Sequence, residues 1–228
     1  MACQFRFNPS DRGGTESSSA HEDRESGEAI VRGTRGAGMG DVARLQYLPE
    51  GIIDLEEFED LFRAFGHVAW RLETRRRFAS DEATDTYRQF VETGTVDWEA
   101  EDPYCELIRS QTAQGKRVER VRIVDQPPTM GQLYLLNNAK RNSGLGEDIR
   151  NLWRADADRL RLPAEDFWLF DSRLAAKLRF DDEDKLVDVE LITESAEIVR
   201  YSVIRDAAWH HAMPYEEFAA RLSDSEWE

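Results

Sequence analysis

A run of four apolar residues constrains the fold of this 228-residue chain more than any other feature. Residues 167–170 read Phe-Trp-Leu-Phe and stand between Asp166 and Asp171. Because successive side chains of a strand point to opposite faces, a strand over this run is apolar on both faces. Such a strand is stable only inside a sheet that other elements cover from both sides. The run therefore predicts a central strand in a layered domain.

Helical and strand patterns alternate along the rest of the chain. Asp54 and Glu57 form a capping-box pair, and Thr129 is placed to cap a later helix. Helices are predicted after Asp54, over residues 81–93 and 103–115, after Thr129, over residues 195–212 and after Pro214. In addition to the run at 167–170, strands are predicted over residues 68–73, 116–124, 147–154, 174–180 and 187–191. Helices between the early strands favour parallel pairing, and the last four strands favour an antiparallel meander. The pattern predicts an α+β domain with a mixed, largely antiparallel sheet flanked by helices.

A composition change near residue 42 sets the predicted domain boundary. Residues 1–42 hold seven of the 14 glycines and five serines, without helical or strand periodicity. We expect a disordered leader over residues 1–42 and a single globular domain over residues 43–228. Met39 lies just before the first patterned segment, so the leader is either genuine or the product of an over-called translation start.

Charge and cysteine content limit the compartment and the partners. The formal net charge is −16, which opposes phosphate binding and repels anionic lipid heads. No segment is long and apolar enough for a membrane helix, and the two cysteines are too few for a disulfide framework. We expect a cytoplasmic protein that binds neither nucleic acid directly nor a membrane.

Common catalytic and cofactor motifs are missing from the sequence. It contains no phosphate-binding loop, no dinucleotide fingerprint, no zinc-protease helix and no nucleophile elbow. His67, His210 and His211 lack metal-ligand spacing, and Cys105 is better explained as a small buried residue than as a nucleophile. The sequence therefore predicts no cofactor, no metal and no catalytic residue, and it favours a non-enzymatic protein.

Two sets of charged residues are the candidate sites. The first set lies on or beside predicted strands and forms either a solvated face with ion pairs or a polar groove for an anion. Its members are Arg71, Glu73, Arg120, Arg122, Asp148, Arg150, Asp166 and Asp171. The second set, a candidate acidic surface for a protein partner, is the hairpin turn with Asp181, Asp182, Glu183 and Asp184.

Several phrases, in this order along the chain, resemble an actinobacterial family known as domain of unknown function 6879. They are FEDLFRAFGHVAW at 58–70, WRLETRRRF at 70–78, TAQGKRVERVRIVDQP at 112–127, GEDIR at 146–150, LPAEDFWLFD at 162–171 and RDAAWHHAMPYEEF at 205–218. The resemblance spans residues 52–220. It implies a single-domain cytoplasmic protein without an assigned activity, and a regulatory role, because such proteins are often encoded near helix-turn-helix regulators.

These observations lead to one preferred function and two alternatives. The preferred hypothesis is a non-enzymatic partner of a helix-turn-helix transcriptional regulator, bound through the acidic turn and the C-terminal helices. One alternative is a hydrolase or phosphotransfer enzyme that uses Asp148, Asp166, Asp171 and nearby arginines. The other is a small-ligand sensor with an arginine-lined pocket.

Overall fold

The computed structural model of the chain describes residues 50–98 and 103–224. The leader predicted over residues 1–42 lies outside the described residues.

Eight helices and eight strands occur in the described residues. The strands are β1 (Gly51–Ile53), β2 (Val68–Glu73), β3 (Arg117–Val124), β4 (Glu147–Trp153), β5 (Asp166–Phe170), β6 (Leu174–Phe180), β7 (Leu186–Ile192) and β8 (Met213–Pro214). The helices are α1 (Leu55–Ala64), α2 (Ala79–Glu82), α3 (Asp85–Thr93), α4 (Pro103–Ala113), α5 (Met130–Gly144), α6 (Arg154–Arg159), α7 (Ser195–His211) and α8 (Tyr215–Asp224).

All eight strands form one mixed sheet in the order β1-β7-β6-β5-β2-β3-β4-β8. The β2–β3 and β3–β4 pairs are parallel and the other five pairs are antiparallel. This confirms the α+β class with a mixed, largely antiparallel sheet. β5 is buried at all five residues and lies between β2 and β6, as its apolar run predicted.

The predicted meander of four strands was wrong for one strand. β5, β6 and β7 form consecutive antiparallel pairs, whereas β4 pairs with β3 in parallel. The reason is α5, which connects β3 to β4 and returns the chain to the same end of the sheet.

Helices cover both faces of the sheet. We call the face that carries Ala69, Arg71 and Glu73 the front face and the face that carries Trp70 and Leu72 the back face. The apolar part of the front face packs against α1 and α4, and the back face packs against α6 and α7. Consequently β2 is buried at all six residues.

Local signals at the helix ends were confirmed. Asp54 and Glu57 form the expected capping box at α1, and Thr129 forms a second one with Gln132 at α5. Gly94 ends α3 in the left-handed conformation with φ of 74°.

Two glycines of α5 give a matched test of packing at the start of this helix. A Cβ atom at Gly131 would lie 2.6 Å from the backbone oxygen of Arg76 and 2.8 Å from the Cβ of Arg77, whereas a Cβ at Gly144 would meet nothing within 4 Å. We expect Gly131→Ala to lower the free energy of unfolding by roughly 1–3 kcal/mol through this clash, despite the better helix propensity of alanine. Gly144→Ala should leave it unchanged or raise it by up to about 1 kcal/mol. Urea denaturation of both variants measures the difference. Equal stabilities would show that residues 76–77 do not clash with a Cβ atom at position 131.

Candidate functional site

Five of the eight charged residues predicted to line a groove come together on the front face. Arg71 and Glu73 of β2 are in register with Arg120 and Arg122 of β3, and Asp166 begins the neighbouring strand β5. Their exposed fractions are 0–3%. We call these five residues together with Glu147 the buried charge cluster. The expectation of a solvated face or open groove was wrong for these five, because helices and the 75–84 segment cover the front face.

Glu73 bridges the arginines of the cluster. Its Oε1 accepts a hydrogen bond of 2.7 Å from Arg120, and its Oε2 accepts one of 2.6 Å from Arg122 Nε. Arg71 Nε lies 3.3 Å from the same Oε1. Burial alone would raise the pKa of the Glu73 carboxyl, but the three guanidinium groups hold that pKa well below its ordinary value.

Arg120 has a second carboxylate partner in Glu147, which is not among the site residues predicted from sequence. Arg120 Nε donates to Glu147 Oε2 over 2.6 Å, and another nitrogen of the same guanidinium bonds the hydroxyl of Tyr104. Although burial acts to lower it, the pKa of Arg120 is raised well above its ordinary value by Glu147, Tyr104 and Glu73. The alternation of side chains along β4 could have pointed to Glu147. Because Glu147 and Asp148 are adjacent in a strand, only one of them can lie on the same face as Arg120.

Arg71 is the least satisfied member of the cluster. It is fully buried between Glu73 and Asp166, and its NH2 atom lies 3.6 Å from Asp166 Oδ2. None of its three side-chain nitrogens makes a hydrogen bond with a described residue. Its guanidinium carbon lies 5.7 Å and 5.5 Å from the ring centroids of Phe78 and Trp168, so aromatic rings supply part of its stabilisation.

Asp166 is held at the end of β5 by the chain that leaves β2. Its Oδ1 accepts hydrogen bonds from the backbone N–H of Thr74 over 2.8 Å and from the Thr74 hydroxyl over 2.7 Å. Burial raises the pKa of Asp166, and the charge of Arg71 opposes that shift. Asp166 thus fixes the position at which the chain turns from β2 toward α2.

The structure places the other three predicted residues outside the cluster. Asp148 and Arg150 lie on the back face, where the guanidinium carbon of Arg150 lies 3.8 Å from the ring centroid of Trp209. Asp171 follows the opposite end of β5 from Asp166 and accepts backbone hydrogen bonds of 2.6, 2.7 and 2.8 Å from residues 66–68. The three aspartates of the enzyme hypothesis therefore do not converge.

The chemistry open to the buried charge cluster follows from its enclosure. Its three arginines face three carboxylates, and a solute has no open path to groups with exposed fractions of 0–3%. Within residues 50–98 and 103–224, no group of three or more His, Cys, Asp or Glu side chains is arranged to hold a metal ion. In this conformation the cluster joins strands and helices and does not present a reactive surface.

The acidic turn between β6 and β7 has two inward and two outward carboxylates. Asp181 Oδ1 accepts backbone hydrogen bonds of 3.0 Å and 2.9 Å from Glu183 and Lys185 and thereby forms the turn. Asp184 accepts hydrogen bonds of 2.7 Å from Arg75 Nε and 2.8 Å from Arg77 Nε. Only Asp182 and Glu183 are exposed, so only half of the predicted acidic surface is free to meet a partner.

An apolar groove of about 950 Å³ begins beside this turn. Its walls are β1 with the start of α1, the start of β7, and residues 79–83. Three of the seven large hydrophobic residues that are exposed in the described chain line it: Ile52, Leu55 and Val187, with exposed fractions of 57%, 43% and 62%. Four carboxylates and a single lysine complete the lining: Asp54, Glu57, Glu59, Asp188 and Lys185. Sequence patterns could not find this groove, because its walls come from three separate segments.

Comparison with known proteins identifies the family. The chain belongs to the domain of unknown function family DUF6879, whose model matches residues 56–220. No curated protein matches the sequence. Among the described residues, no helix is both long and apolar enough to cross a membrane.

Two solved structures resemble the fold weakly. NucT from Helicobacter pylori has a TM-score of 0.39 and 8% identity, covering 70% of this chain and 91% of that one. A phosphatidylserine synthase from Haemophilus influenzae has a TM-score of 0.37 and 13% identity, covering 70% of this chain and 37% of that one. Scores this low do not establish a shared activity.

Removal of one carboxylate charge tests the buried charge cluster. Glu73→Gln leaves the three arginines without their shared counter-ion, and we expect a loss of about 3–5 kcal/mol in the free energy of unfolding. The matched control is Asp148→Asn on the back face, whose carboxylate is exposed and whose loss should cost under about 1 kcal/mol. Urea denaturation at neutral pH compares the two, and similar small losses would contradict the bridging role.

The pH dependence of the same variant gives an independent readout. Because the pKa of Glu73 is depressed in the fold, its charge stabilises the protein above its ordinary pKa of 4.5, and this contribution is lost as the pH falls through the lower, folded value. Wild-type protein should therefore lose stability on acidification below about pH 4.5 more steeply than Glu73→Gln. Parallel stability curves for the two proteins would count against the assignment.

Proposed function

We propose that the protein is a non-enzymatic binding partner that holds a basic amphipathic segment of another protein in the groove beside the acidic turn. The observation that carries the proposal is the clustering of Ile52, Leu55 and Val187 around one concavity, since exposed apolar patches of this kind mark interaction sites. An amphipathic helix binds such a groove through its apolar face.

The negative charge around the groove, here called the rim, favours a basic partner. The carboxylates of Asp54, Glu57 and Glu59 line the groove, and Asp182 and Glu183 are exposed on the turn that leads into β7. Basic residues that flank the apolar face of a partner segment would be attracted to this rim. The DNA-binding domain of a helix-turn-helix regulator is basic and helical, so it is the partner class that we propose.

Apolar docking is tested with a substitution inside the groove and a matched one outside it. Val187 and Val203 are exposed to 62% and 63%, but only Val187 lines the groove, while Val203 lies on α7. Val187→Glu should weaken binding of a synthetic Leu/Lys amphipathic helical peptide by at least about tenfold, or roughly 1.4 kcal/mol. Val203→Glu should leave the affinity unchanged. Fluorescence anisotropy gives both affinities, with a Leu/Glu peptide of the same pattern as the charge control.

Electrostatic attraction is tested on the exposed half of the acidic turn. Asp182→Lys combined with Glu183→Lys should lower the association rate and its salt dependence, with a smaller effect on dissociation. Asp184 is left intact because it bonds Arg75 and Arg77. Equal binding of the Leu/Lys and Leu/Glu peptides, or equal losses from Val187→Glu and Val203→Glu, would refute the proposal. A helix-turn-helix protein that binds the wild type but not Val187→Glu would identify the partner class.

A further inference from the structure

Residues 77–83 form a short segment, here named the strap, that separates the groove from the buried charge cluster. Its only regular structure is the four-residue helix α2. Phe78 and Asp81 are its only buried residues. Ala79, Ser80 and Ala83 face the other way and line the groove.

Two fixed points bound the strap. On one side, the carbonyl of Arg76 accepts a hydrogen bond of 2.6 Å from the Thr129 hydroxyl. On the other side, Thr84 caps α3 through a 3.1 Å bond from the N–H of Tyr87. Rotation about these points would move the strap while leaving α3 and α5 in place.

Asp184 fastens the outer side of the strap to the β6–β7 hairpin. Its carboxylate accepts a hydrogen bond from Arg77 Nε over 2.8 Å, and its carbonyl accepts one from the N–H of Ala79 over 3.1 Å. Asp184 also pairs with Arg75, just before the strap. These contacts lie at the protein surface, where an ion pair is easily exchanged for water.

Asp81 holds the strap on its inner side, and hydrogen bonds only partly compensate the burial of its carboxyl group. It is 3% exposed, and its Oδ1 makes no hydrogen bond with a described residue. The charged and titratable groups around it are Arg71 and Glu73 of β2, Arg122 of β3, Tyr87 of α3 and Tyr134 of α5. Burial is the main reason that a charge at Asp81 is disfavoured; the charge of Glu73 adds to this effect, and the charges of Arg71 and Arg122 oppose it.

From this geometry we infer that the strap is a hinged cover whose closure depends on the buried Asp81 carboxyl inside and on the Asp184 contacts outside. When it opens, Phe78 leaves Arg71 and the groove loses the wall formed by residues 79–83. This inference deepens the proposed function: opening of the strap affects partner binding only if the groove is the binding site. The opening motion itself does not depend on the proposed function.

The direction of the pH effect follows from linkage. Burial, together with the charge of Glu73, raises the pKa of Asp81 from 3.8 to about 7. The closed strap is therefore favoured by the proton below pH 3.8, and this contribution is lost as the pH rises through about 7. Between these limits, the open fraction should rise about tenfold per pH unit and then level off.

Hydrogen exchange at the Ala79 amide measures the opening, since this amide bonds the Asp184 carbonyl across the gap. In the isolated protein, its protection factor should fall about tenfold between pH 5.5 and 6.5 and level off above 7. The Arg117 amide, which bonds the His67 carbonyl over 2.9 Å, is the reference away from the strap. Protection at Ala79 that is independent of pH, or that follows the Arg117 amide, would overturn the inference.

Three variants separate the two fastenings. Asp81→Asn should abolish the pH dependence, and Asp184→Asn should lower protection at every pH while retaining the slope. Asp182→Asn, an exposed neighbour in the same turn, should change neither. If circular dichroism shows that Asp81→Asn does not fold, the pH dependence of Ala79 protection in the wild type still tests the inference. The comparison of Asp184→Asn with Asp182→Asn then tests the outer contacts. Since no peptide is present, a failure here is distinct from a failure of groove binding.

Discussion

The arrangement of the front face depends on the Glu73 carboxylate, which is shared by three buried guanidinium groups. Burial of an unpaired arginine costs several kcal/mol, so Arg71, Arg120 and Arg122 can occupy the interior only where carboxylates reach them. The parallel register of β2 and β3 achieves this by placing Arg71 beside Arg120 and Glu73 beside Arg122. A slip of one residue would turn one strand's charges toward the apolar back face. The cluster therefore specifies strand register as well as contributing contacts.

The same charges divide the front face into two regions with different covers. Where the strands carry apolar side chains, α1 and α4 pack on them and form the main core. Where they carry the buried charge cluster, the cover includes the strap, which contributes only the Phe78 ring and the Asp81 carboxyl to the interior. The groove lies where α1, the β6–β7 hairpin and the strap meet. A short cover over charged groups and an open concavity thus occur side by side for one reason, namely that the apolar cover by α1 and α4 ends there.

The parts of this fold that could be read from sequence are those set by neighbouring residues. Capping pairs at Asp54 and Thr129 and the apolar run at residues 167–170 each carry their signal within a few positions. The short elements β1, β8 and α6 lacked such a signal and were not predicted. The pattern over residues 68–73 predicted β2 correctly, but Arg71 and Glu73 were expected on a solvated face or in a polar groove and are buried instead. Alternation cannot reveal that distant segments cover the polar side of a strand, and Glu147, the second partner of Arg120, lies 27 positions away from it.

The four carboxylates of the acidic turn have different structural roles. Residues 181–184 look equivalent in sequence, yet the backbone gives them different roles. Asp184 has a φ of 63°, in the left-handed region that aspartate tolerates better than most residues, and its carboxylate bonds the arginines of the strap side. Asp182 and Glu183 remain in solvent, where their charge can act on a partner at a distance. A substitution at Asp184 thus acts first on the cover of the buried cluster, whereas one at Asp182 or Glu183 acts on attraction alone. Charge reversal across the whole turn would mix the two effects, which is why the inward and outward carboxylates have to be changed separately.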